Sequence, residues 1–190
     1  MIIALIRHGE TNYNLNKKVQ GSTDNPLNQN GVNQIKNLTI HLKNSDPIWD
    51  IIGSSHLIRA QESAAIINKG LKIKNSFIEP LLTERDFGPY EGKDVSIMRP
   101  LIALDNYRED GFEDNQKLLT RVSKALINLS FKYKDKKVLF VCHSHVIKSA
   151  LIYFDPKTYT YMNHEINNSS VYYFKINEDT FTFLKKIDLV

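Results

Sequence analysis

Short β-branched apolar runs alternate along the chain with stretches in which apolar residues recur every three or four positions. Ile2–Ile6 reads as a strand buried on both faces, Asp50–Gly53 as a weaker second strand, and Val138–Cys142 as a third. Between them, Val32, Ile35, Leu38 and Leu42 line one face of a helix that Asn28 or Asn30 can cap. Ala60, Ala64 and Ile67 form a second helical stripe, with Ser54 or Ser55 as its expected cap. Leu118, Val122, Leu126 and Leu129 form a third, opened by Asp114 or Asn115. Strands alternating with helices predict an α/β three-layer sandwich, a mainly parallel central sheet with helices on both faces.

The last segment has a different period. Residues 170–176 and 180–187 are rich in aromatic and β-branched residues and flank the turn-like Asn177–Glu178–Asp179, which predicts a C-terminal antiparallel hairpin. Residues 93–137 separate two segments of chemical interest. Their first half has weak periodicity and contains Pro100, so it reads as a short helical insertion over a site, followed by the third helix. No repeat, low-complexity tract or linker interrupts the chain, and its 190 residues are expected to form one domain, 1–190.

Composition narrows the function classes. Hydrophobic residues make up 42% and charged residues 24%, ordinary for a globular protein. The net charge of +4 is mild and scattered, which disfavours a nucleic-acid partner and suits small anionic ligands. The apolar run at Ile2–Ile6 stops at Arg7–His8 with neither a basic leader nor a small-residue cleavage site, so no signal peptide is expected. No run approaches the length of a membrane span, so no membrane partner is expected. The one cysteine, Cys142, rules out an internal disulfide and reads as a small buried apolar residue, leaning towards a cytoplasmic setting.

Polar chemistry gathers where the strands end. Arg7–His8–Gly9–Glu10–Thr11 follows the first strand, at the carboxyl end where open α/β sheets place their ligands. Arg offers phosphate a planar fork, and His can act as a nucleophile. Residues 54–64 run from the second strand into a helix and carry Arg59 in its first turns. His143–Ser144–His145 follows the third strand; two imidazoles two residues apart also suggest a metal, but no cysteine pair or acidic cluster completes such a site. Residues 81–92 read as a loop, one of whose carboxylates can serve as a general acid, or whose Glu84 or Glu91 simply pairs with Arg85.

Arg7–His8–Gly9–Glu10–Thr11, with Asn14, Gln20–Gly21, Asp24 and Pro26–Leu27, resembles the signature of the histidine phosphatase superfamily, in its phosphoglycerate mutase-like branch. The Ser54-to-Ala60 block, the Leu82-to-Gly92 block, the second histidine and the late Asn168 segment follow in the family's order. The resemblance implies that His8 is the nucleophile, forming a phosphohistidine. Arg7, Arg59 and His143 would hold the phosphoryl group with help from Asn14, Glu84 would give a proton to the leaving oxygen, and Gln20, Gly21 and Ser144 would contact substrate. His56 stands where the family usually has Pro, Glu62–Ser63 where it has Gln–Thr, and Ser144 where it has Gly. A side chain at 144 either crowds the phosphate or adds a hydroxyl donor.

The chemistry sets requirements for these residues. His8 must be neutral at its attacking nitrogen, which the ordinary histidine pKa of about 6.5 allows; its other nitrogen is expected to donate to a carbonyl near Gly9. Glu84 must be protonated, against the usual glutamate value of about 4.3, and a neighbouring phosphate dianion would raise it. No metal and no cofactor are expected. The short insertion favours a phosphatase acting on small phosphorylated metabolites. The alternatives are a phosphoglycerate mutase and a catalytically impaired phospho-ligand binder. Lys93, Arg99, Tyr107, Arg108 and Phe112 of the insertion are candidate substrate contacts, and a monomer or homodimer is expected.

Overall fold

The computed structural model describes residues 1–104 and 106–189. A six-stranded sheet runs in the order β3-β2-β4-β1-β5-β6. Its members are β1 (Ile2–Arg7), β2 (Ile51–Ser54), β3 (Asn75–Ile78), β4 (Lys137–Cys142), β5 (Val171–Asn177) and β6 (Thr180–Ile187). The first four are mutually parallel, and β5 and β6 are antiparallel to their neighbours. Glu178–Asp179 closes the hairpin, with Glu178 in the left-handed region at φ 55°.

Side chains alternate along the central strands, and each face builds its own core. Ala4, Ile6, Ile52, Leu139 and Val141 meet Ile35, Leu38 and Leu42 of α2 (Gln29–Ser45) and Ala60 and Ile67 of α3 (Ile58–Leu71). On the opposite face Ile3, Leu5, Val138, Phe140 and Cys142 meet Leu118, Val122, Leu126 and Leu129 of α5 (Asn115–Lys132), and Val146, Ile147, Ala150 and Leu151 of α6 (Ser144–Phe154). This is the expected three-layer α/β sandwich. Because β1 leads to the α2 face and β4 to the α6 face, connections leave the adjacent strands β1 and β4 on opposite sides. A crevice opens there, at the carboxyl ends of the strands.

Caps follow local chemistry. The Asn28 side chain accepts from Gly31 N–H to start α2, and Asp114 accepts from Lys117 N–H to start α5. The cap expected at Ser54 or Ser55 does not form: Leu57 is the α3 N-cap and offers no side-chain bond, while Asp24, from a distant loop, accepts from Ile58 N–H at 2.6 Å. Short helix α1 (Asn12–Leu15) and α4 (Val95–Ile102, containing Pro100) lie beside the crevice, with two 3-10 turns at Pro80–Leu82 and Gly88–Tyr90. Among the described residues no helix is long and apolar enough to cross a membrane.

Candidate active site

Sheet register brings the distant segments level. Arg7 pairs with Cys142 and Ser54 with Val141, so His8, Ser55 and His143 leave three neighbouring strands at nearly the same height. The His8 and His143 rings lie 5.2 Å apart between centroids, and both are buried. His8 N–H bonds back to the Cys142 carbonyl, and Gly9 N–H to Ser63 Oγ on α3, which pins the first segment between two elements. Gly9 and Gly31 are in backbone contact: a Cβ on Gly31 would lie 2.1 Å from the Glu10 carbonyl oxygen, so only glycine fits there.

His8 Nδ1 lies 2.7 Å from the Gly9 carbonyl. A carbonyl can only accept, so Nδ1 carries the proton and Nε2 keeps its lone pair. Burial pushes the His8 pKa well down from 6.5, and the Arg59 and Arg7 charges push it further; the same influences, with burial first, lower His143. Both imidazoles are therefore neutral in the folded protein near neutral pH.

The two arginines are fixed by backbone oxygens rather than carboxylates. Arg59 is fully buried and donates from Nη1 to the Thr23 carbonyl at 2.9 Å and from Nη2 to the Gly21 carbonyl at 2.8 Å. Arg7 Nη1 donates to the Ile166 carbonyl at 2.6 Å. Desolvation lowers the pKa of both, that of Arg59 to about 10. Arg7 Nε, Arg59 Nε and His143 Nδ1 are buried with no hydrogen-bond partner among the described residues. Buried donors seldom stay unpaired. Three beside two histidines make a cradle whose chemistry calls for an acceptor-rich anion.

Glu84 stands beside this cradle. Its carboxyl accepts from Arg85 N–H at 2.8 Å and, more weakly, from His145 N–H in the first turn of α6 at 3.3 Å. Burial raises its pKa despite those bonds and despite Arg59 and Arg7. The direction expected from a bound phosphate is thus already supplied by desolvation. Neither Glu84 nor Glu91 forms an ion pair with Arg85. The buried Arg85 guanidinium donates from Nε to His145 Nδ1 at 3.0 Å, bonds the Glu113 carbonyl and the Asn115 side chain, and lies 4.7 Å from the Tyr161 ring centroid. Glu91 accepts instead from Ser22 and Thr23 N–H. His143 and His145 are thus engaged separately, by Ser55 and by Arg85, and among the described residues no cluster of His, Cys, Asp or Glu is placed to hold a metal ion.

A cavity of about 260 Å³ meets this cradle at Arg7 and is walled also by Asn14, Gln20, Glu84 and Ser144 and roofed by α4; His8, Arg59 and His143 are not in its wall. Gly21 is not in that wall; it acts through its carbonyl on Arg59. Asn14 Oδ1 is held by Asn168, whose amide also donates to the His8 carbonyl. Ser144 contributes to the wall as the first residue of α6. Of the insertion residues expected to contact substrate, only Arg99 lines the cavity. Phe112 is buried against Phe87 and Tyr107, Tyr107 bonds Tyr90, Lys93 lies over the Tyr90 ring, and Arg108 pairs with Asp114. His56 is exposed. Sequence reading misses Ser55, whose Oγ lies 2.7 Å from His143 Nε2, and Lys148, which shares the wall with Ser144 one helical turn earlier. The helical spacing of four is the signal that pairs 144 with 148.

The family model described as histidine phosphatase superfamily (branch 1) matches residues 3–188. The chain belongs to that superfamily. Among histidine phosphatases, it is 37% identical over 149 residues to the "Uncharacterized phosphatase PhoE" of Bacillus subtilis (strain 168), spanning 78% of this chain and 75% of that protein. It is 32% identical over 157 residues to "Phosphoglycerate mutase-like protein 4" of Arabidopsis thaliana, spanning 77% and 68%. The histidine phosphatase fold recurs in a phosphoserine phosphatase from Entamoeba histolytica, solved in complex with 3-phosphoglyceric acid, with a TM-score of 0.83 at 23% identity over 98% of this chain and 96% of that one.

Proposed function

We propose that this protein is a phosphatase that hydrolyses small phosphomonoesters through a phosphohistidine on His8. One observation carries the reading: three buried, unpartnered N–H donors, on Arg7, Arg59 and His143, beside an imidazole whose Nδ1 is tied to the Gly9 carbonyl. In the first step His8 Nε2 forms a bond to phosphorus as the ester P–O bond breaks, and the Glu84 carboxyl gives its proton to the departing oxygen. In the second, water attacks phosphorus, Glu84 takes the water proton, and the N–P bond breaks to release phosphate. Arg7 and Arg59, held in place before substrate arrives, stabilise the equatorial oxygens. Asn14, Gln20 and Ser144 belong to the substrate wall in this reading, and Gly21 to the support of Arg59.

The positive charge that phosphoryl transfer needs comes from these two guanidiniums, so the reading is metal-independent, and excess chelator should leave turnover intact. It also takes residues 1–190 as one domain, with 93–137 as lid plus following helix, and sets the protein in the cytoplasm, where its buried Cys142 stays reduced. The test is phosphate release across sugar phosphates, phosphoglycerates, nucleotides and p-nitrophenyl phosphate, with interconversion of 3- and 2-phosphoglycerate assayed alongside. Release dominating is expected. Interconversion dominating would make the chain a mutase, and no turnover of any compound would leave a phospho-ligand binder.

A further inference from the structure

The cavity wall carries cations that the transfer step does not use. Lys148 projects from α6, and its Nζ donates to the Tyr161 carbonyl at 2.6 Å. Among the described residues it pairs with no carboxylate. Arg99, from α4, lines the same cavity, and Lys18 adds a third cation to its wall. The Arg7 and Arg99 charges reinforce burial in pulling the Lys148 pKa down to about 8, against the raising influence of Glu84 and Glu165. Of those two carboxyls, Glu84 is the one burial favours in its neutral form, while exposed Glu165 lines the cavity as the carboxylate set against Lys148, Arg99 and Lys18.

Like charges gathered in a half-enclosed wall disfavour one another, and an anion placed between them reverses the sign of that interaction. Buried Met98 and Ile102 line the same cavity, so apolar as well as cationic side chains face it. Its volume falls below the range of about 300–1,000 Å³ usual for drug-sized ligands. We infer that Lys148 and Arg99 form a second anion subsite, so that the substrate is a compact phosphomonoester bearing another anionic group, a carboxylate or a second phosphate, on its carbon skeleton. The inference rests on the phosphatase reading, with the ester phosphate seated on Arg7 and Arg59.

Matched substrate pairs test it: 3-phosphoglycerate against glycerol 3-phosphate for a carboxylate, and fructose 1,6-bisphosphate against fructose 6-phosphate for a second phosphate. The expected result is a kcat/KM about tenfold or more higher for the extra anion in at least one pair, as suits a charge-assisted hydrogen bond. That ratio should collapse towards one in Lys148→Met and shrink in Arg99→Gln, chiefly through KM. Arg99 is exposed, so its variant remains informative if Lys148→Met folds poorly. Equal kcat/KM within both pairs, or a preference that survives both substitutions, overturns the subsite. Turnover of p-nitrophenyl phosphate separates the two failures: its absence defeats the phosphatase reading, whereas its presence with no anion preference defeats the subsite alone.

Discussion

Ser55 Oγ lies 2.7 Å from His143 Nε2, and both groups are fully buried. The Ser55 oxygen also accepts from Leu57 N–H at 3.4 Å, which leaves its own proton for the imidazole. Nε2 then accepts, and the ring proton sits on Nδ1, the atom without a partner. In the proposed reaction, that tautomer is the one in which His143 donates to a phosphoryl oxygen. Ser55→Ala should lower kcat about tenfold and weaken inhibition by vanadate, while Ser55→Thr should recover most of both. Steady-state kinetics with circular dichroism as a folding control checks this; an alanine variant with undiminished kcat would remove Ser55 from this role.

Glu84 is buried, and its raised pKa suits a proton donor. Removing a general acid costs most where the leaving oxygen is most basic, about 10²- to 10⁴-fold. Glu84→Gln should therefore slow alkyl phosphates far more than p-nitrophenyl phosphate. A Brønsted plot of kcat/KM against leaving-group pKa should steepen in the variant; parallel plots would assign the proton elsewhere.

The pH profile follows from the directions of the shifts. His8 must be neutral, and burial beside Arg59 and Arg7 lowers its pKa, so activity should persist as pH falls below 6.5. Glu84 must be protonated, and burial raises its pKa, so kcat/KM for alkyl phosphates should fall as pH rises and the group ionises. Glu84→Gln should remove that alkaline limb. Lys148 loses its charge above a pKa of about 8, so any preference for a second anion should decline through that pH. Rate profiles from pH 4 to pH 10 on two substrates would register all three.

Gly31 is where α2 touches the active-site segment. Gly31→Ala would drive a methyl into the Glu10 carbonyl. Overpacking of this kind costs about 1–3 kcal/mol, and at this size each kcal/mol lowers Tm by about 2–4 °C. Because Glu10 sits two residues from His8, kcat should fall as well. Calorimetry showing an unchanged Tm would mean that the contact relaxes freely.

The buried strands are legible in the sequence because their apolar runs are continuous, and α2, α3 and α5 because each has one buried face. β3 is not: Asn75–Ile78 is an edge strand with mostly exposed side chains, so it shows neither a run nor a clean alternation. α6 escapes for the opposite reason. Packed against α5, β6 and β1, it buries six of its eleven residues and leaves only a short polar edge at Ser144 and Lys148 to reveal a helical period. Ser55 reads as a local cap, the usual work of serine before a helix, yet its hydroxyl has a long-range partner 88 residues away.

The site is legible at the strand ends and less so in the insertion. Arg7, His8 and His143 are brought level because sheet register equalises three strand exits, which residue order along the chain suggests but pairing alone fixes, while Arg59 arrives on α3 and Glu84 on the loop after Pro80–Leu82. The insertion offers five polar or aromatic candidates of which only Arg99 faces the cavity. Which side of a short, Pro-containing helix turns inward is decided by Met98 and Ile102 packing into the core, and its weak periodicity hides that choice.

The central claim is that His8 Nε2 bonds to phosphorus during turnover. Rapid acid-free quenching of the protein with a ³²P-labelled substrate, followed by peptide mapping, tests it directly. The expected result is label that is acid-labile and alkali-stable, confined to the peptide containing His8, and absent from His8→Ala, which should also be inactive. Full turnover by His8→Ala, or label on any other residue, would contradict it.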